Sequence, residues 1–239
     1  MEANIPLQLT TSNTRDLGGY PCTDGKKTQK NKFLRSDGLD ALTLADKEIL
    51  KEQHDVTIII DLRSNDEVER SGYDASLFTR FHVPLLDGIA SNSAGKNYPT
   101  DMGLLYIDLL SNSQSIFKKI FEIIASNMDH CTLFHCTAGK DRTGVTAMLL
   151  LDLVGVDHEI IVNDYKVTEI YMKERLEKQF AFIKSKGVDI PKEVLLSKPH
   201  NMETALDYLY TNFGGAEKYL ITIGVSQQEI DYIKTKFVK

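Results

Sequence analysis

A cysteine and an arginine separated by five residues form the part of the sequence best suited to covalent chemistry. The stretch "HCTAGKDRTG", residues 135–144, places Cys136 directly after an apolar run, and Arg142 at the start of a second one. A helix N-terminus, inward-facing N–H groups and an arginine all stabilise a thiolate over a thiol, so this setting favours an ionised Cys136. A thiolate that faces a bound phosphate ester is a nucleophile aimed at phosphorus. The spacing therefore predicts that Cys136 attacks a phosphoryl group.

The residues between the two predict a loop that binds an anion. Thr137, Ala138 and Gly139 are small enough for the backbone to curl tightly with its N–H groups pointing inward. Arg142 can grip two phosphate oxygens with its planar guanidinium. Lys140 would add charge for the phosphate or for a second anionic group, and the alternative is a solvated surface lysine. Phosphate or another oxyanion should occupy this loop without a metal or cofactor, because the N–H groups and Arg142 neutralise its charge.

Other interpretations of the stretch fit the residues less well. A nucleotide-binding loop of the Walker type needs a glycine where Phe134 stands. A metal site would draw on His130 with Cys131 and on His135 with Cys136, but consecutive strand residues point to opposite faces and cannot converge on one ion. The remaining alternative is a structural cysteine at the end of a strand, with the charged residues in a surface turn.

The segments before and after this loop predict alternating strands and helices. "DVTIIIDLRS" and "CTLFHC" are typical of strands, the former buried on both faces of a parallel sheet, and "RFHVPLL" predicts a weaker strand. "LTLADKEILKEQ", capped by Thr43 with Asp46, and "SQSIFKKIFEIIASN" predict helices. "RTGVTAMLLLDLVGV" is apolar almost all round, which predicts a central buried helix. Asp24 and Gly25 form a hairpin signal.

The last third of the chain predicts helices only. These are "HEIIVNDYKVTEIYMKERLEKQFAFIKSK", "METALDYLYTNFGG" and "QQEIDYIKTKF", the last preceded by a capping box of Ser226 and Glu229. No linker rich in Pro, Gly or Ser separates this part from the preceding one. We therefore expect one domain over residues 1–239, with an α/β part to about 156 and a helical part from about 157.

Residues 166–199 form a long, charged segment within the helical part. Tyr171, Met172, Phe180 and Phe182 are spaced so that they could share one apolar face. We expect this segment to be a lid or a substrate-contact element, and the alternative is an ordinary packed pair of helices.

Composition and charge argue against several classes of protein. The chain has 239 residues, 42% of them hydrophobic, so it can bury a core without disulfides. Its net charge of -6, with scattered Lys and Arg, argues against nucleic-acid binding. The 3 cysteines predict reduced thiols rather than a disulfide framework. No signal peptide or membrane-spanning run is visible, so we expect a cytoplasmic protein, or a secreted one if a signal peptide has been removed.

Several stretches together resemble one family. "HCTAGKDRTG" resembles the signature loop of the cysteine-dependent tyrosine phosphatase superfamily, HCx5R followed by a hydroxyl residue. With its Lys140-Asp141 pair, this loop is most similar to that of one bacterial branch of the superfamily, the mycobacterial tyrosine phosphatase B type. "NTRDLGGY", "FLRSDGLDALTLAD", "IIIDLRS", "NDY" and "NFGGAEKYLITIGVSQQEI" resemble that branch in the same order over nearly the whole chain. The resemblance implies a tyrosine/dual-specificity phosphatase-like α/β fold, with a mostly parallel central sheet flanked by helices and a helical C-terminal region.

The resemblance also implies roles for individual residues. Cys136 would be the nucleophile, and Arg142 would clamp the phosphate. Thr143 would offer its hydroxyl to the thiolate as it leaves the phosphoenzyme. His135 would tune the loop through hydrogen bonds, or else be an ordinary core histidine. Asp61 would orient the loop or the arginine, or else cap the next helix.

The chain offers three candidates for the general acid. Better-known tyrosine phosphatases supply it from a "WPD" loop, and this chain has 0 Trp. The resemblance points instead to Asp141, within the phosphate loop. Asp87 and Asp101, which lie in predicted loops upstream, are the alternatives.

These observations predict a phosphomonoester hydrolase. The preferred function is a protein tyrosine phosphatase of broad specificity that forms a phosphocysteine on Cys136 and acts on phosphorylated proteins or peptides. The first alternative is a phosphoinositide phosphatase, because Lys140 suits a polyanionic headgroup. The second is an inactive phosphate-binding module, against which the intact Cys136 and Arg142 argue.

Overall fold

The structure, a computed structural model, describes residues 3–85, 101–185, 187 and 195–239. Within these ranges the strands are β1 (Arg15–Asp16), β2 (Phe33–Ser36), β3 (Val56–Asp61), β4 (Thr79–His82) and β5 (Cys131–His135). They form one sheet in the order β1-β2-β5-β3-β4. β1 runs antiparallel to β2, and the other pairs are parallel. The predicted mostly parallel central sheet is confirmed.

The register of the sheet brings three strand ends together. On β5, His135 pairs with Asp61 of β3 on one side and with Ser36 of β2 on the other. In a parallel sheet the carboxyl ends of the strands lie at one edge, where α/β proteins build their sites. The chain that follows β5 therefore emerges between the ends of β2 and β3.

The two central strands are buried on both faces. Ile58, Ile60 and Phe134 belong to the larger hydrophobic core, whereas Ile59 and Leu133 belong to a smaller one on the opposite face. Alternate residues of a strand point to opposite faces, so continuous apolar runs are what a doubly covered sheet requires. The prediction for "DVTIIIDLRS" is confirmed.

Helices cover the sheet and fill the C-terminal part. In the described ranges they are α1 (Leu44–Glu52), α2 (Asn65–Arg70), α3 (Met102–Asn112), α4 (Gln114–Ala125), α5 (Asp141–Leu153), α6 (His158–Lys166), α7 (Thr168–Ser185), α8 (Pro199–Phe213), α9 (Ala216–Thr222) and α10 (Gln227–Phe237). All residues of α5 from 142 to 153 are buried, which confirms the predicted central helix. Of the helices described, none is both long and apolar enough to cross a membrane.

The predicted helix caps are present. Thr43 and Asp46 form a capping box at the start of α1, and Ser226 and Glu229 form one at the start of α10. Gly25 makes the expected tight turn with a φ of 83°, but only isolated bridges, not strands, flank it.

The single long helix predicted from residue 158 is wrong in one respect. It is divided at Val167 into α6 and α7. The buried Arg15 donates from Nη2 to the carbonyl oxygen of Asp164 at 2.6 Å and to the hydroxyl of Thr168 at 3.2 Å. In an uninterrupted helix the N–H of Thr168 would be the donor to that carbonyl. The arginine therefore takes the place of a helical hydrogen bond at the division.

Candidate active site

The loop between β5 and α5 holds the predicted site residues. Cys136 is 2% exposed and directly follows β5, and α5 begins at Asp141. Gly139 has a φ of 64°, and a Cβ atom there would lie 2.5 Å from the carbonyl oxygen of Ser36. Only glycine fits this close approach of the loop to the end of β2.

Three consecutive carbonyl groups of the loop, those of residues 137–139, are hydrogen-bonded from outside the loop. The first accepts from the N–H of Gly38 at 3.0 Å. The second and third accept from the side-chain amide of Asn13, both at 3.2 Å. The third also accepts from Arg35 Nη2 at 2.7 Å. Within a planar trans peptide the N–H points away from the C=O, so these bonds turn the N–H groups of the loop to the opposite side.

A buried ion-pair network holds two of these donors in place. Asp164 on α6 pairs with Arg15 at 3.0 Å and with Arg35, and it accepts a hydrogen bond from the Tyr20 hydroxyl at 3.0 Å. Arg15 in turn donates to the side-chain oxygen of Asn13. Burial acts to raise the pKa of Asp164, but the two arginines outweigh it and lower the pKa to about 2. The stretches "NTRDLGGY", "FLRSDG" and "NDY" therefore meet behind the loop.

Glu67 on α2 is the partner of Arg142. Its two carboxylate oxygens accept from Arg142 Nη1 at 2.5 Å and from Nη2 at 2.8 Å. It also accepts from the hydroxyl of Thr137 at 2.5 Å and from the N–H of Ser64 at 2.8 Å. Burial acts to raise the pKa of Glu67, but the bonds from Arg142 and Thr137 outweigh it and lower the pKa to about 2. Glu67 thus joins the first residue of the loop to the arginine that follows it.

These contacts leave one edge of the Arg142 guanidinium available. Glu67 occupies the end-on edge, between Nη1 and Nη2, and the carbonyl oxygen of Leu62 accepts from Nη1 at 3.4 Å. Of the five N–H donors, Nε–H and one Nη2–H have no partner among the described residues. Burial acts to lower the pKa of Arg142, but Glu67, Cys136 and Asp141 outweigh it and raise the pKa. Cys136 therefore lies within electrostatic reach of an arginine that can still bind an oxyanion bidentately.

Asp141 is the first residue of α5, and its side chain is 23% exposed. Its Oδ1 accepts a hydrogen bond from the hydroxyl of Tyr106 at 2.6 Å. The same oxygen lies 3.4 Å from Lys140 Nζ. The carboxylate is therefore oriented from behind by a buried tyrosine and from the side by a lysine.

Two further predicted site residues are buried. Lys140 is 2% exposed and donates from Nζ to the carbonyl oxygen of Leu196 at 3.2 Å, so it is not the solvated surface lysine of the alternative interpretation. Thr143 is completely buried, and its hydroxyl has no hydrogen-bond partner in the described part of the chain. A buried hydroxyl without a partner is costly, which is typical of a group that serves a ligand or an intermediate.

Asp61 and His135 lie together beneath the loop. The Asp61 carboxylate pairs with Arg63 at 2.8 Å and with Arg80 at 2.7 Å, and it lies 3.6 Å from His135 Nε2. Asp61 therefore contacts the loop only indirectly among these bonds, through His135. The residue that holds Arg142 is Glu67, not Asp61. The helix that follows β3 is capped by Ser64, so the alternative of a helix-capping Asp61 is wrong.

The tautomer of His135 follows from its partners. Its Nδ1 lies 3.0 Å from the carbonyl oxygen of Cys136, which can only accept, so Nδ1 carries the proton. Its Nε2 then accepts from the hydroxyl of Tyr73 at 2.9 Å. Burial lowers the pKa of His135 to about 4, which keeps the ring neutral near pH 7. A neutral His135 therefore fixes the start of the loop.

Asp101 and Asp87 are the alternative candidates for the general acid. Asp101 is the N-cap of α3, where its side chain accepts from the N–H groups of Gly103 and Leu104. Asp87 lies outside the described residues.

The segment predicted as a lid corresponds mainly to α7. Of the four residues that could share an apolar face, Met172 is buried, and the Tyr171 hydroxyl donates to the carbonyl oxygen of Asn4 at 3.4 Å. Phe180 instead lines a groove of about 630 Å³ with Ile170, while the side chain of Phe182 lies outside the described residues. α7 is also tied to the chain after β2, because its Arg175 pairs with Asp37 at 2.7 Å.

Comparisons with known proteins agree with this site. The profile of the tyrosine phosphatase family matches residues 7–239. A tyrosine-protein phosphatase of Nostoc commune is 34% identical over 216 residues, which cover 85% of this chain and 73% of that protein. A triple specificity protein phosphatase, PtpB, of Mycobacterium tuberculosis is 26% identical over 160 residues, which cover 60% of this chain and 55% of that protein. The chain belongs to the tyrosine phosphatase family and is a cysteine-dependent phosphatase.

Sequence reasoning missed several residues that shape the site. Glu67 was detectable only as the fourth residue of "SNDE", a capping box directly after a strand. Asn13 and Arg35 lie in stretches that resemble the family, but the sequence carries no sign that they bind loop carbonyls. Tyr106 lies in an apolar helix, where a tyrosine is ordinarily a core residue.

Proposed function

We propose that this chain is a protein tyrosine phosphatase of broad specificity, a single domain that resembles the mycobacterial phosphatase B branch. The observation that carries the proposal is that three consecutive carbonyl groups between Cys136 and Arg142 accept hydrogen bonds from groups outside the loop. It supports a cradle of N–H groups around an oxyanion that is also held by the free edge of the arginine. The name of the mycobacterial relative, a triple specificity phosphatase, supports broad specificity.

The proposed reaction proceeds through a phosphocysteine. The Cys136 thiolate attacks phosphorus while the ester P–O bond breaks, and Asp141 gives a proton to the departing alcohol oxygen. Water then attacks the phosphocysteine, the S–P bond breaks, and the sulfur departs as a thiolate. The released phosphate carries both protons of that water, and Asp141 regains its own proton from solvent. The unpartnered hydroxyl of Thr143 is suited to stabilise that departing thiolate. The N–H groups of the loop and Arg142 hold the phosphoryl oxygens throughout.

The nucleophile is tested by Cys136→Ser, assayed with p-nitrophenyl phosphate in metal-free buffer. A serine hydroxyl does not ionise as a thiolate does, so turnover should be lost, while vanadate affinity should stay within about tenfold, roughly 1.4 kcal/mol. Cys22→Ser is the matched control, since Cys22 is also buried but lies outside the loop, and it should retain activity. Substantial metal-independent hydrolysis by Cys136→Ser would exclude the cysteine mechanism.

The acid is tested by the basicity of the leaving group. Asp141→Asn should cost little with p-nitrophenyl phosphate and up to about 10²–10⁴-fold with phosphotyrosine or phosphoserine substrates, whose alcohols need the proton more. Asp101→Asn serves as the control, because that carboxylate is engaged as a helix cap. An equal loss on every ester would show that Asp141 only shapes the loop.

Phosphoinositide hydrolysis is the weaker alternative. It would require Lys140 to reach a second phosphate group, but its Nζ contacts Leu196 and Asp141. A panel of phosphopeptides and short-chain phosphoinositides separates the two. We expect kcat/KM to be higher for phosphotyrosine peptides, and the opposite order would favour the lipid substrate.

A further inference from the structure

A row of buried hydrogen bonds leads to the carboxylate of Asp141. The hydroxyl of Tyr106 on α3 lies 2.6 Å from Asp141 Oδ1 and 2.8 Å from the hydroxyl of Tyr165 on α6. The side-chain amide nitrogen of Asn201 on α8 lies 3.4 Å from that second hydroxyl. The two tyrosine rings pack edge to face, with centroids 5.8 Å apart, and both are almost completely buried. Three helices thus position the hydroxyl groups behind the first residue of α5.

The available protons determine which group donates in each of these hydrogen bonds. The amide nitrogen of Asn201 can only donate, so the oxygen of Tyr165 accepts from it. Each tyrosine has one hydroxyl proton, so Tyr165 donates to Tyr106 and Tyr106 donates to Asp141 Oδ1. Burial raises the pKa of both tyrosines, which keeps both hydroxyls protonated. All donors therefore point towards Asp141.

The two oxygens of Asp141 are consequently not equivalent. Oδ1 faces two donors, the hydroxyl of Tyr106 at 2.6 Å and Lys140 Nζ at 3.4 Å. Neither of those contacts involves Oδ2. A proton on Oδ1 would face the Tyr106 hydroxyl and Lys140 Nζ, which are themselves donors to that oxygen. A proton on Oδ2 would face neither of these two groups.

We propose that Tyr106 is a positioning residue of the phosphatase reaction, which reserves Asp141 Oδ1 as an acceptor and keeps the transferable proton on Oδ2. The proton then moves from Oδ2 to the ester oxygen as the P–O bond breaks, and the electron pair of that bond stays on the departing oxygen. The carboxylate left behind keeps its hydrogen bond from Tyr106, which stabilises the new negative charge. This inference rests on the proposed role of Asp141 as the general acid.

The test is Tyr106→Phe, assayed on a series of aryl phosphates whose phenols differ in basicity. The ring and its packing remain, but the hydroxyl that orients the acid is lost. Because a misplaced catalytic group costs up to about a hundredfold, we expect kcat to fall about ten- to a hundredfold for the most basic phenols. For p-nitrophenyl phosphate the change should stay within about twofold, since that leaving group needs little protonation. KM and the inhibition constant of inorganic phosphate should not change.

Tyr165→Phe is the matched control. It removes one buried hydroxyl from the same pair of rings but leaves the bond from Tyr106 to Asp141 intact. Thermal unfolding should show a similar loss of stability in the two variants, but only Tyr106→Phe should lose activity in proportion to leaving-group basicity. In an Asp141→Asn background, Tyr106→Phe should cause no further loss of kcat, because both changes remove the same function.

The outcomes distinguish the role of Tyr106 from the role of Asp141. If Asp141→Asn loses activity with the basicity of the phenol but Tyr106→Phe loses it equally on all esters, the role of Tyr106 is overturned and the acid stands. If Tyr165→Phe shows the same leaving-group dependence as Tyr106→Phe, the assignment to Tyr106 is also overturned. If Asp141→Asn itself shows no dependence, the general acid is wrong, and the inference fails with it.

Discussion

Replacing Glu67 by glutamine should both destabilise the protein and weaken its site. The side chain of Glu67 is 21% exposed, and its carboxylate is the ion-pair partner of a buried Arg142. The variant keeps the size of the side chain but puts an NH₂ group opposite an arginine nitrogen. Arg142 is then left buried without a counter-charge, which is the costly way to break an ion pair.

The magnitude follows from the lowered pKa of Glu67. That pKa is about 2 in the folded protein, against an ordinary 4.5. The difference of roughly 2.5 pKa units, at about 1.4 kcal/mol each, gives about 3.5 kcal/mol of preference for the ionised form. For a chain of this size, a loss of about 3.5 kcal/mol lowers the melting temperature by about 7–14 °C. Loss of a charge-assisted pair that orients Arg142 should also lower kcat/KM by about ten- to a hundredfold.

The pH dependence gives the sharper test. Because the folded-state pKa is depressed, the stabilisation by Glu67 is complete above pH 4.5 and is lost as the pH falls towards about 2. The difference in urea unfolding between wild type and Glu67→Gln should therefore be largest at pH 7, and it should shrink between about pH 4.5 and 2. Glu69→Gln, an exposed change on the same helix, is the control and should show no difference. An unfolding difference that is absent at pH 7, or equal at pH 7 and pH 3, would show that the Glu67 carboxylate does not stabilise the fold through Arg142.

Three further predictions concern the surroundings of the loop. Asp164→Asn should destabilise the fold by about 3–5 kcal/mol in urea unfolding, because it leaves Arg15 and Arg35 buried without their shared carboxylate; a loss below about 1 kcal/mol would contradict the network. The ring of His135 should stay neutral down to about pH 5 in an NMR titration, with the proton on Nδ1, since its pKa is lowered to about 4. Its burial should cost stability as the pH falls from 6.5 towards 4, because the unfolded chain then binds the proton more readily. Hydrogen exchange of α7 (Thr168–Ser185) should slow when vanadate binds if this helix contacts the substrate, and unchanged exchange would leave it a packing element.

The local features of the fold could be predicted from the sequence because they depend on neighbouring residues. The buried run of β3, the apolar α5 and the box of Thr43 with Asp46 each have a pattern that fits within one element. The division at Val167 could not be predicted, because its cause is Arg15, which is distant in the chain. The hydrophobic periodicity of a helix gives no information about a side chain that contacts the helix from a distant part of the chain.

The same distinction applies to the site. Cys136 and Arg142 are recognisable because one loop holds them at a fixed spacing. Glu67, 75 residues away from that arginine, and Arg35, 104 residues away from the carbonyl of Gly139, are brought there by the order of the strands. Without the register of the sheet, no pattern in the chain distinguishes them from surface charges.

Long-range pairing also explains how an acidic chain can bind a phosphate. The net charge is -6, yet two buried carboxylates near the loop are each shared by two arginines. These are Asp61 with Arg63 and Arg80, and Asp164 with Arg15 and Arg35. Each group of three therefore keeps an excess of one positive charge, and Arg35 donates a hydrogen bond to the carbonyl oxygen of Gly139 in the loop. Because buried charges are screened far less than exposed ones, this local excess acts on an oxyanion in the loop more strongly than the distant surface acids do.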